Sequence, residues 1–317
     1  MSRVLVSGAF GYKGSVLVPK LLAAGHEVTG VDTLWFGNNL PPHPRLTVVQ
    51  QDIRAGVDCT GQDAVIHLAG IANDPCGELD AKLTWEVNVY GTLRLADNAA
   101  RAGVKQFIFA SSASVYGLKD NRPVIETDSF EPVSDYNRTK ATAERVLLSY
   151  ADEMAIQIAR PATVCGMSPR MRLDTMVNML TAQALANGVI TAHCGSHGAG
   201  LMRPNVHIED VTNLYMFMLA NPEMTGCFNV GNDNISALDT AKMIAQEIPS
   251  KIEITTVVDK RSYAVDSSKL LSRGFKFEHS VRDAIREIAS AARRGNLVDD
   301  RRARNLWWMQ DNGLVAA

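Results

Sequence analysis

The sequence predicts a doubly wound α/β protein built on a parallel sheet. Three observations point there. Short β-rich runs alternate with helical stretches through the first half. Several strand-like runs are apolar at nearly every position, as in Phe107-Ile108-Phe109-Ala110. A glycine-rich turn also separates the first strand from the first helix. A strand buried on both faces needs no polar alternation, and such strands belong to parallel sheets covered by helices on both sides. Alternating β and α then implies right-handed crossovers.

Taken in order, residues 3–8 and 27–32 read as strands, with an apolar-faced helix over about 11–24 between them. Pro19 falls inside that helix and, having no amide proton, should bend it. Residues 46–52, 64–70, 106–112 and 156–163 read as further strands, and helices at 85–102 and 136–152 separate the last three. The pattern then loosens. A Pro/Arg/Met-rich loop at 167–172 leads to a helix near 175–186, and Gly195, Gly198 and Gly200 precede Arg203-Pro204-Asn205-Val206-His207. A helix at 209–220, a strand at 227–231 and a helix at 238–247 behind the cap residue Ser236 follow. A strand at 252–258 and a helix after Ser280 complete the set. The basic run 301–304 ends near Trp307-Trp308 and reads as a surface segment packing locally, with a subunit contact as the alternative.

Composition narrows the function classes. The chain has 317 residues, 46% hydrophobic and 21% charged, with a formal net charge of −2. That charge offers no global field for nucleic acid or an anionic membrane. No run reaches the roughly 18 apolar residues of a membrane helix, and the first strand begins without a leader pattern, so a cytoplasmic protein is expected. Five scattered cysteines without a CxxC pair suggest neither a disulfide framework nor a metal site. Cys165 is expected near the site described below.

Gly8, Gly11 and Gly14 form a GxxGxxG between strand and helix. Glycines there allow a tight turn and let backbone amides approach a pyrophosphate at the helix N-terminus. Asp32 closes the second strand 18 residues after Gly14, near the roughly 20-residue spacing of a ribose-binding carboxylate. Such an acid accepts from a 2′-hydroxyl and repels a 2′-phosphate. The pattern therefore predicts a Rossmann-type dinucleotide site that takes NAD. Lys13 sits inside the cradle, and Asp52-Ile53 closes the third strand, where an acid can meet an adenine amino group or simply begin a turn.

Tyr136 and Lys140 form a YxxxK at a helix start, which puts both side chains on one helical face. A phenol with an ordinary pKa near 10 is a weak base at neutral pH, and a neighbouring cation lowers it. Tyr136 is thus the candidate acid/base. Ser111-Ser112 ends a strand at the edge where ligands bind in such sheets.

With these motifs the chain resembles the extended short-chain dehydrogenase/reductases, in their nucleotide-sugar epimerase/dehydratase branch. Gly8-Ala9-Phe10-Gly11-Tyr12-Lys13-Gly14 is similar to the family's glycine motif, with Tyr12-Lys13 in place of an apolar pair. His67-Leu68-Ala69-Gly70 resembles the cofactor-lining HxAA, and Asn88-Val89-Tyr90-Gly91-Thr92 resembles the NxxGT helix. The resemblance implies NAD as cofactor, bound by Gly8, Phe10, Gly11, Gly14, Asp32, Asp52, Ile53, Leu68, Ala69, Tyr136 and Lys140. It implies Ser112 as the catalytic hydroxyl beside Tyr136 and Lys140, and Ser114 as a second polar group facing substrate. Thr163 stands where the family has an asparagine. Arg203 and Arg261 are the implied clamps on a nucleoside diphosphate, Arg203 lying in a segment similar to RDxxHVxD with Pro204 replacing Asp. Guanidinium groups suit phosphate geometry. A smaller, mostly C-terminal α/β substrate lobe follows, with residues 1–165, rejoined by about 204–232, as the NAD-binding domain and 166–203 plus 233–317 as the lobe. A nucleotide-sugar substrate and a homodimer through the helices at 85–102 and 136–152 are further implications.

Within that branch, dehydratases carry an Asp-Glu pair directly after the active-site hydroxyl, and decarboxylases a Glu before Val-Tyr-Gly. Here those places hold Ala113-Ser114 and Ser114. C4 epimerisation is therefore the expected reaction, with a sugar ketoreductase as the alternative. Dehydration stays open through Glu126 and Asp128. Base and sugar contacts are expected from loops 169–173 and 193–202, and loop 33–44 has no assigned role.

Overall fold

The computed structural model describes residues 1–119, 122–195, 201–257 and 263–314. In chain order the strands begin with β1 (Arg3–Ser7), β2 (Glu27–Asp32), β3 (Leu46–Gln50), β4 (Ala64–His67), β5 (Gln106–Ala110) and β6 (Ala155–Pro161). They continue with β7 (Thr163–Cys165), β8 (Val189–Cys194), β9 (Met202–His207), β10 (Gly226–Val230), β11 (Asp233–Ser236) and β12 (Lys251–Thr256). The helices begin with α1 (Gly14–Ala23), α2 (Asp74–Leu79), α3 (Ala81–Trp85), α4 (Thr92–Arg101), α5 (Asp135–Leu148) and α6 (Met176–Asn187). After them come α7 (Ile208–Ala220), α8 (Ala237–Glu247), α9 (Ser268–Leu271), α10 (Val281–Arg293) and α11 (Asn305–Asp311).

The main sheet has seven strands among the described residues, in the order β10-β6-β5-β4-β1-β2-β3, and every neighbouring pair is parallel. Val4 pairs with Val28 on one side and Ala64 on the other, so the strand order reverses at β1. A reversal of this kind opens a crevice at the strands' C-terminal ends. Successive side chains of one strand point to opposite faces. Val4 and Val6 accordingly join Leu17 and Leu21 of α1 and Leu214 of α7, whereas Leu5 joins Val65, Phe107, Leu95 of α4 and Leu147 of α5. Each fully buried side chain of this size contributes about 2 kcal/mol by transfer from water.

A three-stranded sheet runs β11-β9-β7, and β8 pairs with β12 alone. Beside them α6, α8 and α10 enclose their own apolar cluster around Leu180, Ile244 and Ile285. Ser236 caps α8 as expected, its hydroxyl accepting from Asp239 N at 3.0 Å. Ser280 and Asp283 cap α10 reciprocally.

Strand ends differ from the sequence reading in one direction. Gly8, Leu68–Gly70 and Ser111–Ser112 leave the sheet and turn into the loops above it. Gly8 takes φ +74°, which ends the extended run. The helix read over 85–102 is interrupted by a wider turn at Glu86–Gly91. At Gly91 a Cβ would lie 2.7 Å from Ile53 Cδ1, so the glycine sits where two segments nearly touch. Helix α2 and strands β7, β8 and β11 carry no periodicity long enough to be read. Cys165 packs in the cluster with α6 and does not line the crevice. All five cysteines are free thiols, and among the described residues no three His, Cys, Asp or Glu side chains are placed to hold a metal. Among the described residues no helix is long and apolar enough to cross a membrane.

Candidate active site

The crevice at the strand ends opens into a cavity of about 520 Å³, a size that suits a small-molecule ligand. Its floor begins with the glycine turn. A Cβ on Gly8 would lie 2.6 Å from Ala69 N, and one on Gly14 would lie 2.3 Å from Gly8 O. No larger residue fits either place, whereas a Cβ on Gly11 would meet nothing nearer than 3.4 Å. The turn is held shut by its own backbone, which leaves Gly8, Gly11 and Gly14 lining the cavity together with Lys13. Burial, then repulsion from Lys140 and Arg172, brings the Lys13 ammonium down to about 7. That is the environment of a cation lacking an anion.

Asp32 lines the same cavity. Its carboxylate accepts from Phe10 N at 3.1 Å and Leu34 N at 2.9 Å, and burial raises its pKa. Phe10 was expected to touch the cofactor. Its ring is instead fully buried in the core, and its amide is spent on Asp32, so it positions the acid and does not line the cavity. Asp52 and Ile53 do line it, but both Asp52 oxygens already accept from Arg54. The turn-initiating alternative for Asp52 is fulfilled, since it caps the short helix Ile53–Ala55. Leu68 and Ala69 line the cavity, and His67 does not. His67 is buried between Ser7 Oγ at 2.6 Å and Thr92 Oγ1 at 2.9 Å, and burial lowers it to about 3. It ties β1 to α4 as a neutral ring.

At the far end, Tyr136, Lys140, Ser112 and Ser114 line the cavity together. Ser134 starts α5 by accepting from Asn137 N at 3.2 Å, which fixes Tyr136 in the first turn. Ser112 Oγ and Ser114 Oγ are 2.8 Å apart, and Ser114 donates onward to Asn137 Oδ1 at 2.5 Å. The hydroxyls are thus pre-aligned as a relay. Lys140 donates to Ala110 O at 3.0 Å, and burial lowers its ammonium to about 8. Tyr136 departs from expectation: burial pushes it up to about 12, with the Ser112 hydroxyl pulling the other way. Burial outweighs the pull of the Ser112 hydroxyl and of the Arg172 guanidinium on the phenol, while Lys140 is engaged with the Ala110 carbonyl.

Thr163 and Arg203 also line the cavity, while Arg261 lies outside the described residues. Loop 193–202 contributes His193 and Leu201, with 196–200 outside the described residues. Glu126 and Asp128 do not reach the cavity. Glu126 accepts from Asn229 N at 2.8 Å, and Asp128 is paired with Arg122. The carboxylate near Tyr136 comes from elsewhere: Asp74 of α2 lines the cavity, accepts from Ser134 and acts electrostatically on the phenol. Arg170 and Arg172 also stand in the wall. Only the composition of loop 167–172 hinted at these cations, and nothing local marked Asp74, which tertiary packing delivers.

The chain is 30% identical over 268 residues to UDP-glucuronic acid decarboxylase 4 of Arabidopsis thaliana, covering 80% of this chain and 58% of that protein. A further plant relative, probable UDP-arabinose 4-epimerase 3, is 28% identical, with 64% of its length covered. The chain thus spans about six tenths of the length of these plant proteins. Among solved structures, UDP-glucuronic acid 4-epimerase from Bacillus cereus, in complex with UDP-glucuronic acid and NAD, superposes with a TM-score of 0.82 at 25% identity. That superposition covers 92% of this chain and 99% of the other. Residues 4–231, from the first strand past the last strand of the main sheet, match one family model. The glycine cradle, the YxxxK helix and that match together place the chain in the NAD dependent epimerase/dehydratase family.

Proposed function

We propose that this protein is a nucleotide-sugar 4-epimerase that keeps its NAD through the cycle. The observation that carries the reading is the convergence of Tyr136, Lys140, Ser112 and Ser114 on one cavity with the glycine turn. The residues fit NAD. A pyrophosphate would lie against Gly11 and Lys13, whose depressed ammonium a phosphate would restore, and Asp32 would accept from the adenosine ribose. Bound there, NAD supplies the hydride acceptor and afterwards the hydride donor.

The chain's own groups handle protons and position. Tyr136 takes the proton of the sugar C4 hydroxyl and returns it to the C4 oxygen after the sugar has turned to present the opposite face of C4. A cation beside a phenol favours the phenolate, which is the role of Lys140 once the cavity fills. Ser112 turns its proton toward the C4 oxygen, and Ser114, whose own proton goes to Asn137, faces the substrate as an acceptor. Arg203, and Arg261 by resemblance, hold the diphosphate while the sugar turns, so that binding energy goes into positioning. In this scheme residues 1–165 and 204–232 hold the cofactor, and 166–203 with 233–317 hold the sugar nucleotide. Trp85, Tyr90, Leu93 and Leu148 are exposed, which supports a homodimer through α4 and α5.

A second reading, loss of water from the sugar, is favoured by Asp74. Its carboxylate acts on Tyr136 and offers an acid/base that the serine strand lacks. The test is to incubate the purified chain, without added NAD, with UDP-glucose, UDP-galactose and UDP-glucuronic acid, following products by NMR. C4-inverted sugar with no net NAD(P)H change is expected, and Tyr136→Phe should lower turnover about a hundredfold to ten-thousandfold. A 4-keto-6-deoxy product would install the second reading. Consumption of NAD(P)H by a keto sugar, without inversion, would replace both with a ketoreductase.

A further inference from the structure

Two sequence features without a role, loop 33–44 and the tryptophan tail, meet at the adenosine end of the cavity. Trp308 stacks on Trp35 with ring centroids 5.5 Å apart and tilts against Phe36 at 4.9 Å. Arg170 lies 3.7 Å above the Phe36 ring and is held from the tail, donating to Arg302 O at 3.1 Å and Asn305 Oδ1 at 2.5 Å. Leu173 N donates to Ala303 O at 2.7 Å, and Asn305 N donates to Asp174 at 3.0 Å. On the opposite bank Met309 packs with Ile71 and Cys76 beside α2. The tail therefore spans from the loop after β2 to the segment after β4, with the 170–174 loop beneath it. Asn305 itself faces the cavity, as do Trp35, Phe36 and Arg170.

We propose that α11 belongs to the cofactor site: it straps Trp35, Phe36 and Arg170 across the adenosine end and retains a bound dinucleotide between turnovers. This rests on the NAD reading above. A seven-residue helix has little stability of its own and stays folded only while docked. Its release is thus a local event, separable from global unfolding. Asn305 and Phe36 line this end of the cavity, so under the proposal cofactor exit is coupled to that event. Retention suits a reaction that returns the hydride to the same sugar, and it would obstruct one that must exchange NADH at each turnover.

The experiment loads the full-length chain and its Trp308→Ala and Asn305→Ala variants with radiolabelled NAD. Release is then timed after dilution into excess unlabelled NAD. Losing two ring contacts should speed release from Trp308→Ala about tenfold. Asn305→Ala, which removes an acceptor for Arg170 and little bulk, should speed it in the same direction and serves if the tryptophan variant does not fold. Melting curves without NAD separate the effect from general destabilisation. Unchanged release from a folded variant overturns the strap. Asp32→Ala distinguishes the two levels: if it binds NAD as the parent does, the NAD reading itself fails. If it binds weakly while release from the tail variants is unchanged, the strap alone fails.

Discussion

Lys140 shows how a single side chain can be held against its own solvation. The ammonium is buried, and its folded pKa of about 8 lies below the ordinary 10.5. A cation whose pKa falls on folding costs stability while it is protonated in both states. Between about pH 8 and 10.5 the unfolded chain binds more protons, so stability rises with pH across that window. Below it the full cost remains, on the order of 3 kcal/mol at neutral pH. Lys140→Met is therefore expected to raise the ligand-free melting temperature at pH 7 while removing activity, the gain fading as the pH rises from about 8 to 10.5. A variant melting no higher than the parent at pH 7 would show that the bond to Ala110 O outweighs burial. The YxxxK pair was legible in the sequence, yet the direction of the Tyr136 shift was not, because local spacing says nothing about how dry the surrounding wall is.

At the scale of elements, the β1–turn–α1 unit was the most legible part of the chain. Its glycines at 8 and 14 are required by close backbone contacts with Ala69 and within the turn itself. Gly14→Ala places a methyl 2.3 Å from Gly8 O, which the turn can accept only by opening. The expected outcome is a loss of about 1–3 kcal/mol of stability, with NAD binding by calorimetry reduced far more than that loss explains. Equal NAD affinity in the folded variant would mean the amides of this turn are not what holds the pyrophosphate. The shorter elements escaped notice for a physical reason. Helix α2 has six residues, including Pro75 and Gly77, and is secured by the Asn73 side chain accepting from Cys76 N. Strand β8 finds its partner, β12, only some 60 residues later. Neither carries a local pattern that could announce it.

For the whole molecule, the arrangement leaves large apolar side chains exposed on α3, α4, α5 and the turn at Glu86–Gly91. Trp85 is 37% exposed, Tyr90 47%, Leu93 40% and Leu148 42%. Scattered exposed apolar residues are common, and the proposed homodimer would cover this group. Sedimentation velocity at micromolar concentration should show a dimer, and Leu93→Arg should shift it toward monomer. A parent chain that sediments as a monomer at that concentration would remove the homodimer.

What the sequence determined by itself is local and repetitive: apolar strands that must be covered twice, a turn that only glycine can make, a phenol and an ammonium one helical turn apart. These depend on residues close together in the chain, so their spacing carries the message. The tertiary structure alone decided which groups from distant segments share the cavity: Asp74 beside Tyr136, Arg170 beneath the tail, Trp308 against Trp35, and Phe10 turned inward to serve Asp32. Such meetings depend on how separate elements pack, and no spacing along the chain encodes the distance across a groove.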